Sequence, residues 1–99
     1  MASCDDQQLR EQLLAQTPMG STMEQVAAFC LRRKLECRRS DNAGYMNQAT
    51  GAVVGEKAMW AAVEETHRGL MVSSVEAYWG FGSDGVLVDV WIWRTTDAP

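Results

Sequence analysis

Histidine occurs once in this chain, at His67, and cysteine three times, at Cys4, Cys30 and Cys37. An odd cysteine count makes no disulfide framework. Cys30 and Cys37 also lack a second Cys/His pair that would complete a zinc site. A bridge between them is open to the chain but nothing in the spacing demands it. Cys30, on the apolar side of a predicted helix, reads as a buried, inert thiol. Glycine-rich phosphate loops are missing. Gly44, Gly51 and Gly55 fit neither the dinucleotide nor the P-loop spacing. No nucleophile–base signature occurs. His67 near Glu64 and Glu65 is the one acid/base grouping to weigh, and its place before Gly69 reads as a solvated turn. Glu64 and Glu65 are neighbours on a segment read as extended, so they point to opposite faces and do not flank one glycosidic bond. The expectation is therefore a non-enzymatic protein with no cofactor and no metal.

Long apolar runs are missing too, so no segment is read as a membrane span. A charged n-region followed by an apolar stretch is absent from the start of the sequence. As read, the chain points to the cytoplasm. Met1-Ala2-Ser3-Cys4 looks like the end of a lipoprotein processing site, and a leader ahead of it would place the protein in the periplasm. Basic residues are scarce: nine Lys and Arg against thirteen Asp and Glu, a net charge of -4. A phosphate backbone would be repelled by most of such a surface, which argues against nucleic acid. The scarcity is uneven. Arg32, Arg33, Lys34, Arg38 and Arg39 are five of the nine bases, and from Ser40 onward eight acids face three bases. Cations in the last turn of a helix meet the negative end of its dipole, so the basic cluster needs no phosphate ligand. The acidic half would steer a basic protein partner, unless it is simply solvated surface.

What is present is an ordinary globular composition, 46% hydrophobic and 22% charged over 99 residues. That suits one domain with a core of its own. Ser3–Gln16 reads as a helix. Ser3, Asp5 and Asp6 suit its N-terminus, and Leu9, Leu13 and Leu14 share a side. Thr17-Pro18-Met19-Gly20 ends it. A second helix is predicted over Ser21–Lys34, opened by a capping box of Ser21 with Glu24. Met23, Val26, Ala27, Cys30 and Leu31 make its apolar stripe, widened by Phe29. Leu35–Gly55 is loop-rich, with a short strand expected around Gly44–Asn47. Lys57–Thr66 is in conflict: Ala, Met, Glu and Lys favour helix, while the bracketing glycines Gly55 and Gly69 favour a strand.

Two strands, 70–81 and 86–94, follow, joined by a Ser83-Asp84-Gly85 turn. Period-two alternation puts Val75, Ala77, Trp79 and Phe81 on one face and Glu76 and Tyr78 on the other. On the second strand, Val86, Val88, Val90 and Ile92 point one way, and Leu87, Asp89, Trp91 and Trp93 the other. One face is thus fit for a core. The opposite one sets aromatics beside carboxylates. Tyr78, Asp89, Trp91 and Trp93 are the candidate partner-binding residues. The bland alternative is a second core layer, covered by the helices or by the Leu35–Gly55 loop. Residues 95–99 read as a tail.

Two stretches carry a family resemblance. Pro18–Val26 resembles the helix opening of small bacterial envelope domains, the outer-membrane assembly lipoproteins of SmpA/OmlA type. Val75–Arg94, with its Phe81–Gly85 turn and the strand after it, resembles their closing hairpin. The resemblance implies two helices followed by a three-stranded antiparallel sheet, and on that ground Lys57–Thr66 is taken as a strand. It implies binding rather than catalysis; relatives of this kind include inhibitor and immunity-like proteins. The expected fold is α+β, two N-terminal helices on one face of a three- to four-stranded antiparallel meander. The expected function is binding another protein, one with a basic surface. A small-molecule or catalytic site using His67, Cys30 and Cys37 is one alternative. A homodimer through Val86–Arg94 or through the aromatic face is another.

Overall fold

The computed structural model describes residues 4–68 and 71–97, with side chains for 6–64 and 73–95. Two helices, α1 (Cys4–Gln16) and α2 (Met23–Arg32), precede six strands. These are β1 (Arg38–Ser40), β2 (Tyr45–Met46), β3 (Val53–Val54), β4 (Lys57–Arg68), β5 (Met71–Phe81) and β6 (Leu87–Asp97). The main sheet has the order β1-β4-β5-β6 with every pairing antiparallel, and β2 with β3 forms a separate small hairpin. The class is the expected one, α+β with both helices against one face of a four-stranded sheet.

Leu13 from α1 and Met23, Val26, Phe29 and Cys30 from α2 pack onto Met59, Ala61, Val75, Ala77, Trp79, Phe81, Val90 and Ile92. Trp79 is the centre of this layer. Its ring meets Phe29 edge-on at 6.2 Å. Its indole nitrogen donates to the Thr17 hydroxyl at 3.1 Å, and Thr17 donates on to the Leu13 carbonyl at 2.7 Å. A buried indole needs such a partner, so Thr17, at the end of α1, is held inside the core.

Helix α2 opens one residue later than expected. Thr22, not Ser21, is the N-cap, and its box partner is Gln25. Ser21 instead donates to the Pro18 carbonyl at 2.6 Å. The helix also stops sooner. Arg33 and Lys34 lie in the turn beyond it, Lys34 with φ 57°. Leu31, expected on the buried stripe, is 80% exposed. Ala27, one turn earlier, is exposed as well, so the buried stripe is Met23, Val26, Phe29 and Cys30, and Ala27 and Leu31 lie on its solvent side.

The left-handed turn at Lys34 brings the chain back on itself. Cys30 and Cys37 form a disulfide, with Cα atoms 6.2 Å apart. Cys30 is buried as expected, but it is not the free thiol that was expected. The bridge ties the end of α2 to the residue before β1.

The contested segment is a strand, β4. Met59 and Ala61 face the helices while Trp60 and Ala62 face away. Pairing on both sides overrides its local helix preference. His67 belongs to this strand, opposite Val72, and not to a turn; its side chain lies outside the described residues. Alternation along β6 breaks at its start. Gly80 pairs with Asp89 but Phe81 pairs with Leu87, so Val88 is the extra residue of a bulge. Leu87 therefore turns into the core and Val88 out to solvent, the reverse of strict alternation. The strand also runs on through Asp97, where a tail was expected.

The two edges of the sheet differ. Along β6, Gly20 donates to the Leu87 carbonyl at 3.0 Å and Leu87 to the Ser21 carbonyl at 2.8 Å. Arg10 of α1 then donates through Nε to the Val90 carbonyl at 2.8 Å. This edge is occupied as far as Val90. On the other side β1 is only three residues long against the twelve of β4.

Candidate partner-binding face

The sheet face turned away from the helices carries two cross-strand rows. Arg38 of β1 pairs with Trp60 of β4, Trp60 with Tyr78 of β5, and Tyr78 with Trp91 of β6. The second row runs Ala62, Glu76, Trp93. Side chains two residues apart on a strand share a face, so the rows lie side by side. The Tyr78 and Trp91 rings are 5.3 Å apart, and Trp91 and Trp93 5.1 Å. Three of the four expected site residues, Tyr78, Trp91 and Trp93, thus meet in one cluster, each half-buried.

Tyr45 covers one end of this cluster. Its ring stacks on Trp91 at 5.9 Å with an interplanar angle of 12°, and leans on Tyr78 at 5.7 Å. Glycines make the approach feasible. A Cβ on Gly80 would lie 2.9 Å from Tyr45 Cε2, and one on Gly44 would overlap the carbonyls of Val54 and Gly55. Glu56 donates its N–H to the Phe81 carbonyl at 2.7 Å, which pins the end of the small hairpin to β5. The loop-rich segment therefore lids the Gly80 end of the face. Trp60 sits at the rim of the lid, lining a pocket with Tyr45, Met46 and Gln48, while Glu76 and Trp93 lie beyond it; all three are half-buried.

Asp89 takes a different part from its neighbours. Its Oδ1 accepts from Arg10 Nη2 at 2.8 Å and from the Val90 N–H at 2.8 Å. Together with the Arg10 bond to the Val90 carbonyl, this fastens α1 to the edge of β6. The carboxylate positions α1 while its side chain stays 42% exposed. Leu87, expected beside it, belongs to the core.

Glu76 is the carboxylate that the face does present. Tyr78 donates its hydroxyl to Glu76 Oε2 at 2.6 Å. Burial, followed by this bond, pushes the Tyr78 phenol up to about 12. Tyr45 is raised further, chiefly by burial and then by the Asp89 charge. Among the described residues the Tyr45 hydroxyl is the buried side-chain polar atom without a hydrogen-bond partner.

Patterning missed Tyr45 and Trp60. Tyr45 lies in a segment with no clear period, and its signal is the glycine it covers on another strand. Trp60 was hidden by the helix–strand conflict of its segment. Of the alternative site, Cys30 and Cys37 are consumed in their disulfide, and the His67 side chain lies outside the described residues. No family model matches the chain, and no curated protein or solved structure gives a significant match to it.

Proposed function

We propose that this chain is a non-enzymatic protein-binding module. It holds a protein with a basic surface against the sheet face of Trp60, Glu76, Tyr78, Trp91 and Trp93. The observation that carries this reading is the pair of cross-strand rows. Three half-exposed indoles and a phenol lie together on the face the helices leave uncovered. Large aromatics supply much contact area for little lost side-chain freedom, which makes them the usual anchors of protein interfaces. The net charge of -4 favours a basic partner over an acidic one. Placement among envelope domains, or among toxin-immunity proteins, rests on the resemblance of Pro18–Val26 and Val75–Arg94 to SmpA/OmlA-type domains.

Affinity capture tests the reading, with wild-type bait and a Trp93→Ala bait run in parallel. A protein held by the first and lost by the second, at an unchanged melting temperature, supports it. Equal retention by both baits, or none by either, contradicts it. Self-association through β6 has the occupied edge against it as far as Val90. A face-to-face dimer would show instead as concentration-dependent mass in light scattering.

A further inference from the structure

The groove beside Trp60 is more specific than a flat aromatic patch. It lies where β1 leaves β4. Trp60, Ala62 and Glu76 form one wall, and Lys34, Glu36 and Arg38 of the disulfide-tied linker form the other. Glu76 is the carboxylate on the Trp60 side, and Glu36 the one on the linker side. One Glu76 oxygen, Oε2, is taken by Tyr78; Oε1 has no hydrogen-bond partner among the described residues. Trp93 is its cross-strand neighbour, and Trp60 and Tyr78 belong to the adjoining row. Trp60 lines the groove with Glu76, and Trp93 borders it on the next strand; a carboxylate beside an indole is a receptor for a cation. The Trp60 ring quadrupole attracts the charge, and the free Glu76 oxygen accepts a charge-assisted hydrogen bond.

We infer that this groove receives an arginine side chain of the partner protein, stacked on Trp60 and bonded to Glu76. The inference rests on the protein-binding reading of this face and names its anchor. Arginine suits the site better than lysine. A planar guanidinium stacks on indoles and still offers edge donors to a carboxylate. Lys34 and Arg38 also line the groove, Arg38 as the cross-strand neighbour of Trp60, and among the described residues neither has an ion-pair partner. They oppose a cation and so tune the site downward, with Glu36 between them offsetting one of the two charges.

The test titrates hexa-arginine, and its uncharged hexa-citrulline counterpart, into the isotope-labelled full chain. The readout is the indole N–H signals of Trp60 and Trp93. Hexa-arginine is expected to shift both signals in a saturable manner, and hexa-citrulline is expected not to. Glu76→Gln keeps an acceptor for the Tyr78 hydroxyl, so the fold is retained; it is expected to weaken binding about tenfold. Glu24→Gln removes an equal charge from the exposed side of α2 and is expected to leave binding unchanged. A Lys34→Ala/Arg38→Ala double variant is expected to tighten it. Equal weakening by Glu76→Gln and Glu24→Gln would overturn the inference in favour of general attraction to an acidic surface. Unchanged or weaker binding by the double variant would overturn it, because a cation seated in this groove must feel both charges. The parent reading fails separately. If a captured partner is lost by Trp93→Ala but held by Glu76→Gln, the face binds protein and the arginine anchor is wrong. If no partner is captured while hexa-arginine behaves as expected, the groove stands and the protein-binding reading falls.

Discussion

Tyr45 shows how a single ring can both close and limit a surface. It buries itself against Gly80, Tyr78 and Trp91, and its hydroxyl has no hydrogen-bond partner among the described residues. A buried unpaired hydroxyl costs about 1–3 kcal/mol relative to an apolar atom of the same shape. Tyr45→Phe should therefore leave stability unchanged or raise it, while Tyr45→Ala should cost on the order of 3 kcal/mol. Denaturant melts of the two variants check this. The phenols also set a pH limit. Both have folded values above their ordinary 10.0, Tyr78 at about 12. A raised folded value means that the fold prefers the protonated phenol. Its contribution is complete below pH 10 and is lost as pH rises through about 12. Tyr45 and Tyr78 are the chain's two tyrosines. Absorbance near 295 nm should thus show little ionisation around pH 10 and a steep rise that coincides with unfolding. A gradual titration centred on 10 in the folded state would count against the packing described.

At the level of elements, the disulfide and the glycines decide where the lid and the linker lie. Closing the seven-residue separation between Cys30 and Cys37 should stabilise the fold by about 2.5 kcal/mol through the unfolded chain. Reduction, or Cys37→Ala, should lower the melting temperature accordingly. Gly80→Val should push Tyr45 off the sheet at a cost of about 1–3 kcal/mol and expose Trp91 to quenchers. Much at this level was legible in the sequence. Period-two patterning placed Val75 through Phe81 correctly, because β5 is paired on both sides and must alternate. Leu87 and Val88 were misplaced because a bulge depends on how two strands meet, which neither strand encodes alone. The disulfide was only an open option. It depends on the left-handed Lys34, and a non-glycine residue gives little sign of that conformation in advance. Asp89 was correctly set at the sheet, but its arginine partner lies 79 residues away on α1, beyond the reach of local pattern.

For the whole molecule, a division of labour between the two sheet faces follows. One face buries Trp79 with the helices, and the other carries Trp60, Trp91 and Trp93, with a partial lid at its Gly80 end. Trp91 serves both stability and recognition, since it touches Tyr45, Tyr78 and Trp93. Trp91→Ala should cost about 1–3 kcal/mol of stability, less than a fully buried tryptophan would, and roughly 2 kcal/mol or more of partner affinity. The four tryptophans give the most direct test of the central claim, that the face away from the helices is the binding face. Their indole N–H signals can be followed while the captured partner is added to the labelled chain. Signals of Trp60, Trp91 and Trp93 should move, and that of Trp79, bonded to Thr17 inside the core, should stay. A partner that binds while all three outer indoles remain unmoved would contradict the account.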